Sequence, residues 1–420
     1  MTRALTVPDA VWPDGTRVGL RAVDGMITEL GADVAARPGD DVLHARGQAL
    51  LPGLVNGHGH AAMTLLRGYG SDLPLMDWLE QKIWPAEAHL TDDDVYWGTR
   101  LAGIEMIRTG TVRFWDMYWH PVAAARAAHD CGLRATVGPP IIDGFDAERG
   151  KRAWASASDA LDAIAEVSPL VSPSLAPHGI YTVGEESLRW VAEEAARRDV
   201  PVQLHFLETQ DEVTGCLARS GLRPGAYLDR VGLLSERLVL AHGVWMDEPE
   251  LELIAARAAT VVTNPVSNLK LAVGRVFPYS KAIAAGVAIG LGTDGAASNN
   301  SLDLFQDVKV FALLQKFADD DPAVLPAAEA WAVATGAWAP RLGGSGALAV
   351  GEPADFLLVR GDAPELMPGH LIDNLVYAAS GSVVASTVVD GTVLMRDGVI
   401  DDETEVCARA RECAVRLGAA

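Results

Sequence analysis

The stretch Leu51-Pro-Gly-Leu-Val-Asn-Gly-His-Gly-His60 joins an apolar run to two histidines that are two positions apart. The apolar part is typical of a buried strand. Because side chains at i and i+2 of a strand point to the same face, His58 and His60 are expected to project together from the carboxyl end of this strand. Two imidazoles on one face can supply two ligands of a metal site, and the remaining ligands must come from elsewhere in the chain.

Apolar, strand-like runs recur along the middle of the chain, and each is followed by a helix-like segment. The eight runs begin near Leu51, Thr111, Arg134, Val171, Val200, Leu238, Thr260 and Val287. Eight strands that alternate with helices predict an α/β protein with a (β/α)8 barrel of the TIM type. A doubly wound open sheet is the second architecture, and it is disfavoured because no glycine-rich phosphate-binding loop follows the first strand.

Both ends of the chain have a different sequence pattern, in which short β-like runs are separated by Asp-Gly turns. These turns are Asp24-Gly25, Asp390-Gly391 and Asp397-Gly398, and such dipeptides favour hairpins. The pattern predicts a small β-sandwich domain built from residues 1–50 and 347–420, which ends in a helix around 405–417. Residues 51–346 are then the barrel domain.

The composition limits the partners and the compartment. Among 420 residues, 34 are Lys or Arg and 56 are Asp or Glu, which gives a net charge of −22. Such a charge disfavours nucleic acids and anionic membranes as partners. The N-terminus does not have the pattern of a signal peptide, and the four cysteines form no C-x-x-C pair. We therefore expect a soluble, cytoplasmic protein with reduced thiols.

Polar side chains cluster at the carboxyl ends of the predicted barrel strands, where this fold carries its chemistry. Besides the first pair, they are His178 after the fourth strand, His205 and Glu208 after the fifth, His242 after the sixth and Asp294 after the eighth. A single histidine on an apolar strand is more often a core residue. Five histidines and two acids at the carboxyl ends of the predicted strands instead indicate a functional site.

A set of four of these residues suits a catalytic metal: His58, His60, His205 and Asp294. Three imidazoles and a carboxylate, with a position left for water, are typical of catalytic zinc, although iron or manganese also fits this set. No lysine occurs between Lys151 and Lys270 that could bridge a second metal as a carbamate. One Zn²⁺ per subunit is therefore expected, with Fe²⁺ or Mn²⁺ as alternatives, unless another acid bridges a second metal.

Two further residues of the rim are candidates for proton transfer. Glu208 lies three residues after His205, where it can reach the site without binding the metal, although a solvated loop acid is the alternative. His242 is either a core residue or a catalytic group beside the metal, and the latter is favoured.

Several motifs resemble those of the amidohydrolase superfamily. They include Val55-Asn-Gly-His-Gly-His60, Asn264-Pro-Val-Ser-Asn268 and Leu291-Gly-Thr-Asp294, with further similar stretches at 74–80, 83–88 and 347–356. The resemblance lies in the branch of nucleoside and nucleobase deaminases and triazine chlorohydrolases. Within that branch the chain is most similar to the 5-methylthioadenosine/S-adenosylhomocysteine deaminases.

The resemblance implies a role for each candidate residue. His58, His60, His205 and Asp294 would hold one zinc ion, and Glu208 would donate a proton to the ring nitrogen beside the leaving amine. His242 and Asp294 would orient and deprotonate the attacking water. In the substrate pocket, Trp78 would form a wall, Glu87 would accept ribose hydroxyls and His178 would hydrogen-bond the purine. Relatives are commonly homo-oligomers, so the same is expected here.

The sequence departs from the family pattern where members that accept S-adenosylhomocysteine usually carry an arginine after the third strand. Pro139 and Pro140 occupy this region, and Arg149, Lys151 and Arg152 either replace the missing charge or are solvated loop residues. Without a carboxylate clamp, adenosine, 5′-deoxyadenosine and 5′-methylthioadenosine are expected to be better substrates than S-adenosylhomocysteine. Two alternatives stay open: action on another amino-heterocycle (guanine, a pterin, cytosine or a triazine), and a barrel scaffold without activity.

Overall fold

The computed structural model describes residues 3–344 and 346–419. Strands occur along nearly the whole of this part of the chain. They are β1 (Ala4–Val11), β2 (Arg17–Val23), β3 (Met26–Gly31), β4 (Asp41–Val42), β5 (Gln48–Pro52), β6 (Leu54–Asn56), β7 (Thr111–Met117), β8 (Arg134–Gly138), β9 (Pro140–Ile141), β10 (Val171–Pro173), β11 (Ala176–Pro177), β12 (Val202–Phe206), β13 (Leu238–His242), β14 (Thr260–Thr263), β15 (Ala288–Leu291), β16 (Phe356–Arg360), β17 (Val384–Val389) and β18 (Thr392–Met395).

A mixed sheet combines strands from both ends of the chain. Its order is β18-β17-β16-β5-β1-β2-β3, and β4 pairs with β1. Asp24-Gly25 and Asp390-Gly391 make two of its turns, and all four residues have positive φ angles, as such turns require. The first parallel strand was expected to begin near Leu51, but Leu51 pairs antiparallel with Leu357 in the mixed sheet. The chain passes from this sheet to β6 at Gly53.

The middle of the chain forms parallel sheets, so the protein has an α/β architecture. One sheet has the order β10-β8-β7-β6, a second has the order β12-β13-β14-β15, and a short pair joins β11 to β9. Backbone hydrogen bonds connect these sheets. The Leu175 amide donates to the Pro201 carbonyl (3.0 Å), and the Gly57 amide donates to the Leu291 carbonyl (2.8 Å). Residues that follow the first parallel strand therefore contact the end of the last one.

Helices follow most of the parallel strands. They are α1 (Leu75–Trp78), α2 (Trp84–Glu87), α3 (Asp92–Arg108), α4 (Pro121–Cys131), α5 (Ala147–Ala165), α6 (Glu185–Arg198), α7 (Gln210–Ser220), α8 (Pro224–Arg230), α9 (Glu248–Ala256), α10 (Pro265–Lys270), α11 (Tyr279–Ala285), α12 (Leu304–Asp319), α13 (Ala327–Ala334), α14 (Leu371–Tyr377) and α15 (Glu403–Arg416). A π-helical turn, Leu79–Ile83, joins α1 to α2. None of the described helices is both long enough and apolar enough to cross a membrane.

Arg134, at the start of β8, connects the parallel strands to the mixed sheet. Its guanidinium donates to Asp355 (2.6 Å from Nε to Oδ2) and to Asp390 (3.0 Å from Nη2 to Oδ1). The arginine side chain is only 12% exposed. An arginine that binds two carboxylates in a half-buried position fixes the orientation of the elements that carry them.

We expect Arg134→Ala to lower the free energy of unfolding by about 3 kcal/mol, because it leaves the partly buried Asp355 without its arginine and removes one of the two arginines that pair with Asp390. Arg257→Ala removes an ion pair with Asp229 in which the arginine side chain is 51% exposed, and it should cost less than about 1 kcal/mol. Denaturant unfolding of both variants measures the difference. Equal losses would show that Arg134 acts as an ordinary surface charge.

Candidate metal and active site

Four side chains from three separate regions converge at the carboxyl ends of the parallel strands. His58 and His60 follow β6, His205 lies in β12, and Asp294 follows β15. One possible ligand atom of each lies within 4.8 Å of those of the other three. Asp294 Oδ1 is 3.2 Å from His60 Nε2 and 3.5 Å from His58 Nε2. The structure thus brings together all four predicted ligands.

Hydrogen bonds orient two of these imidazoles with Nε2 toward the centre of the cluster. His60 Nδ1 lies 2.6 Å from the Met117 carbonyl oxygen, and His205 Nδ1 lies 2.6 Å from the His178 carbonyl oxygen. A carbonyl accepts only, so each Nδ1 carries a hydrogen, and Nε2 is the ring atom that is left to bind a metal. This arrangement is common for histidines that bind metals.

The cluster fits a divalent transition metal. His58 Nε2 is buried and has no hydrogen-bond partner within the described residues, and burial lowers the pKa of His58 to about 4. His60 Nε2 and His205 Nε2 are only 3.3 Å apart. Burial opposes the charged form of His60, but the hydrogen bond to Asp294 outweighs burial and raises the pKa of His60 to about 9. Three imidazoles and a carboxylate suit zinc, iron or manganese, and a divalent cation at the centre would take the place of the proton on His60.

Asp294 is held so that one oxygen faces the histidines. Its other oxygen, Oδ2, accepts hydrogen bonds from Ser267 Oγ (2.7 Å) and Ser298 Oγ (2.8 Å). The backbone of Asp294 has a φ of 62°, and such left-handed conformations are concentrated at functional sites. Neither serine was predicted from the sequence, although Ser267 lies in the 264–268 motif and Ser298 follows Asp294 by four positions.

Glu208 and His242 lie beside the cluster. His242 Nε2 is 3.9 Å from Glu208 Oε2, and both side chains are buried. His242 Nδ1 lies 2.8 Å from Asn268 Oδ1, so it donates to this amide and leaves Nε2 as an acceptor toward the site. Burial raises the pKa of Glu208 above its ordinary value. The pair can therefore hold a proton on the acid and accept a hydrogen bond on the imidazole.

A second acid supports the turn that carries Glu208. Glu212 Oε2 accepts a hydrogen bond from the Glu208 amide (3.2 Å), and Leu207 has a φ of 50°. Burial raises the pKa of Glu212 to about 8. Glu212 and Asn268 are the supporting residues that the sequence did not reveal, since neither ends a strand.

One cavity contains the other candidates. Trp78, Glu87 and His178 line the same space as Glu208, His242 and three of the four cluster residues. Trp119 Nε1 donates to Glu87 Oε2 (2.9 Å), and burial raises the pKa of Glu87. His178 Nδ1 is 3.0 Å from Thr182 Oγ1. His58 lies behind this space and does not line it.

The basic residues after the third barrel strand differ in their position. Arg149 lines a cavity of about 610 Å³ that shares Trp84, Glu87 and Trp119 with the first cavity. Lys151 instead pairs with Glu148 at the surface (2.8 Å), and Arg152 is exposed. Only Arg149 of the three lines a cavity next to the site.

Comparisons with known proteins agree with this site. A model described as the amidohydrolase family matches residues 49–394. The chain is 48% identical over 400 residues to a 5′-deoxyadenosine deaminase of Methanoregula boonei, a match that covers 93% of this chain and 90% of that protein. It is 41% identical over 411 residues to 5-methylthioadenosine/S-adenosylhomocysteine deaminase 1 of Archaeoglobus fulgidus, with 96% of each covered.

A solved structure is also similar over nearly its whole length. An adenosine deaminase from Xanthomonas campestris with bound zinc has a TM-score of 0.91 and 35% identity, with 99% of this chain and 98% of that chain covered. The family model covers most of the chain, including every residue of the cluster. This chain therefore belongs to the amidohydrolase family.

Proposed function

We propose that this chain is a metal-dependent aminohydrolase that converts an adenosine-like nucleoside to the inosine analogue and ammonia. The observation that carries the proposal is one cavity that contains the metal cluster, Glu208, His242 and the buried acid Glu87. The names of the relatives point to the same chemistry, since all three act on adenosine or its derivatives. Zinc, one ion per subunit, is the proposed metal, and iron or manganese is the alternative.

When bound, Zn²⁺ would make a nucleophile available at neutral pH, because it lowers the pKa of water from 15.7 to about 7. His58, His60, His205 and Asp294 would hold it. The protein residues then handle the protons. His242 Nε2 orients the attacking water, and Asp294 accepts a proton from it.

Glu208 completes the reaction at the purine. Its carboxylic acid donates a proton to N1 while the water oxygen forms a bond to C6, so that the ring can accept the addition. Glu208 then takes the proton of the C6 hydroxyl and passes it to the exocyclic nitrogen, whose bond to C6 breaks so that it leaves as ammonia. The proton held by Asp294 restores the acid form of Glu208. Glu87 accepts a hydrogen bond from a ribose hydroxyl, His178 forms a hydrogen bond with the purine, and Trp78 forms a wall of the pocket.

The proposed scaffold is a closed (β/α)8 barrel with an appended sheet domain. Two contacts between the first and last parallel strands support closure: the Gly57 to Leu291 hydrogen bond and the Asp294 amide to the His58 carbonyl (3.1 Å). Residues 51–346 would form the barrel. Residues 1–50 and 347–420 would form the second domain, with β5 extending it to Pro52.

The proposal predicts which compounds release ammonia from the metal-loaded protein. We expect turnover of adenosine, 5′-deoxyadenosine and 5′-methylthioadenosine. Turnover of S-adenosylhomocysteine should be weaker, because Pro139 and Pro140 stand where a carboxylate clamp would be and Arg149, which lines the neighbouring cavity, is exposed to solvent. Guanine, cytosine, a pterin and a chlorotriazine are the comparison panel. Release of ammonia from one of these compounds, without release from any 6-aminopurine nucleoside, would contradict the proposal.

A further inference from the structure

A second cavity adjoins the catalytic cavity beside Glu208, and the reaction described above does not use it. This Glu208-side cavity has a volume of about 530 Å³. It shares four lining residues with the catalytic cavity: Leu75, Tyr181, Glu208 and Leu271. The cavity that Arg149 lines adjoins the catalytic cavity beside Glu87 instead. No described residue lines both of these neighbouring cavities, so each of the two acids has a separate space next to it.

The lining of the Glu208-side cavity combines apolar walls with acidic groups. The apolar side chains include Leu75, Met76, Trp245, Leu271 and Val273. Trp245 Nε1 donates a hydrogen bond to the Val273 carbonyl (2.8 Å), which holds this wall in place. The acids are Glu208, Asp211 and Glu212, and none of the described lining residues is a lysine, an arginine or a histidine. Such a space suits an alkyl group on an amine nitrogen and disfavours an anion.

Granted the proposed function, Glu208 faces the edge of the base that carries the exocyclic nitrogen. It gives a proton to N1 and later passes one to this nitrogen, whereas Glu87 holds the ribose on the other side. A substituent on the exocyclic nitrogen is therefore expected to extend into the Glu208-side cavity. We propose that this cavity receives alkyl substituents on the exocyclic nitrogen, and that the protein also hydrolyses N6-alkyladenosines to inosine and an alkylamine.

The reaction of an N6-alkyladenosine uses the same groups as the deamination and needs no further reactant. The water oxygen forms a bond to C6 while Glu208 gives a proton to N1. Glu208 then passes the proton of the C6 hydroxyl to the alkylated nitrogen, the bond from C6 to this nitrogen breaks, and the alkylamine leaves. The alkyl group would lie against the apolar walls of the cavity, with the nitrogen beside the acids.

The test replaces Met76 with tryptophan. Met76 lines the Glu208-side cavity but not the catalytic cavity, and it is 42% exposed, so a larger side chain can occupy part of the space without overpacking the core. We expect the unchanged protein to form inosine and propylamine from N6-propyladenosine. Met76→Trp should lower the ratio of kcat/KM for N6-propyladenosine to kcat/KM for adenosine at least about 10-fold, the scale of losing one apolar contact. Leu217→Trp is the matched control, because Leu217 is equally exposed (42%) on α7 and lines neither cavity, and it should leave this ratio unchanged.

Three outcomes would overturn the inference. Release of ammonia from adenosine without release of propylamine from N6-propyladenosine would show that the cavity does not receive the substituent, and the proposed function would stand. An unchanged ratio in Met76→Trp would show the same. A larger loss for 2-propyladenosine than for N6-propyladenosine would place the other edge of the base in the cavity.

Titration calorimetry separates this inference from the proposed function. In the Glu208→Gln variant, whose turnover is slow, addition of Met76→Trp should raise Kd for N6-propyladenosine about 10-fold relative to Kd for adenosine. A protein that shows this loss of binding, but releases no amine from either nucleoside, would contradict the reaction and support the role of the cavity.

Discussion

Replacing Glu208 with glutamine is expected to lower kcat for nucleoside deamination by about 10²- to 10⁴-fold, the usual contribution of a general acid. Metal content should not change, because Glu208 is not one of the four clustered ligands. Glutamine has nearly the same shape but cannot give a proton to N1. Steady-state rates and metal analysis of the same preparation measure both effects.

The pH dependence gives a second measurement of this role. Burial raises the pKa of Glu208, so the acid keeps its proton at a higher pH than an exposed glutamate does. Activity that requires the protonated form is complete below this pKa and is lost as the pH rises through it. The Gln variant should lack this alkaline decline.

An exposed glutamate provides the control for Glu208. Glu193 lies on α6 with its side chain in solvent, and Glu193→Gln should leave both kcat and metal content unchanged. Loss of metal from the Glu208 variant would mean that Glu208 is a ligand. An unchanged kcat would show that Glu208 takes no part in the reaction.

His205→Ala should weaken binding of zinc by at least about 100-fold and abolish measurable deamination. Loss of a group that only supports a metal ligand already costs about 10- to 100-fold in affinity, and this substitution removes a ligand. Its imidazole is one of the two whose Nε2 atoms lie 3.3 Å apart. Equilibrium dialysis followed by elemental analysis measures the affinity.

The unchanged protein should lose activity with a chelator and regain it when zinc is added. Addition of iron or manganese instead compares the alternative metals. His44, whose side chain is 76% exposed, is the control, and His44→Ala should bind metal as the unchanged protein does. Undiminished metal affinity in the His205 variant would contradict the proposed ligand set.

Much of the candidate site could be predicted, because it follows from short-range patterns in the sequence. The two-residue period of a strand predicts that His58 and His60 share a face, and the positions of strand ends predict His205 and Asp294 as their partners. In the structure both histidines follow β6, which ends at Asn56, rather than lying in it. The π-helical turn between α1 and α2 was not predicted. Its place beside the Trp78 wall depends on packing against the cavity rather than on a periodic pattern.

The supporting residues could not be predicted, because their partners are distant in sequence or do not end a strand. Asn268 accepts a hydrogen bond from His242, which lies 26 positions away, and the Met117 carbonyl accepts one from His60, which lies 57 positions away.

By itself the sequence determined the types of ligand, the alternation of strands and helices, and the acidic surface, since each follows from residue identity and short-range spacing. Tertiary structure decided which atoms meet. It turned Nε2 of His60 and His205 toward the centre of the cluster by hydrogen bonds from Nδ1 to backbone carbonyls, and it placed Glu87 and Glu208 in one cavity. These are contacts over long sequence separations, and only the packing of the chain sets their distances.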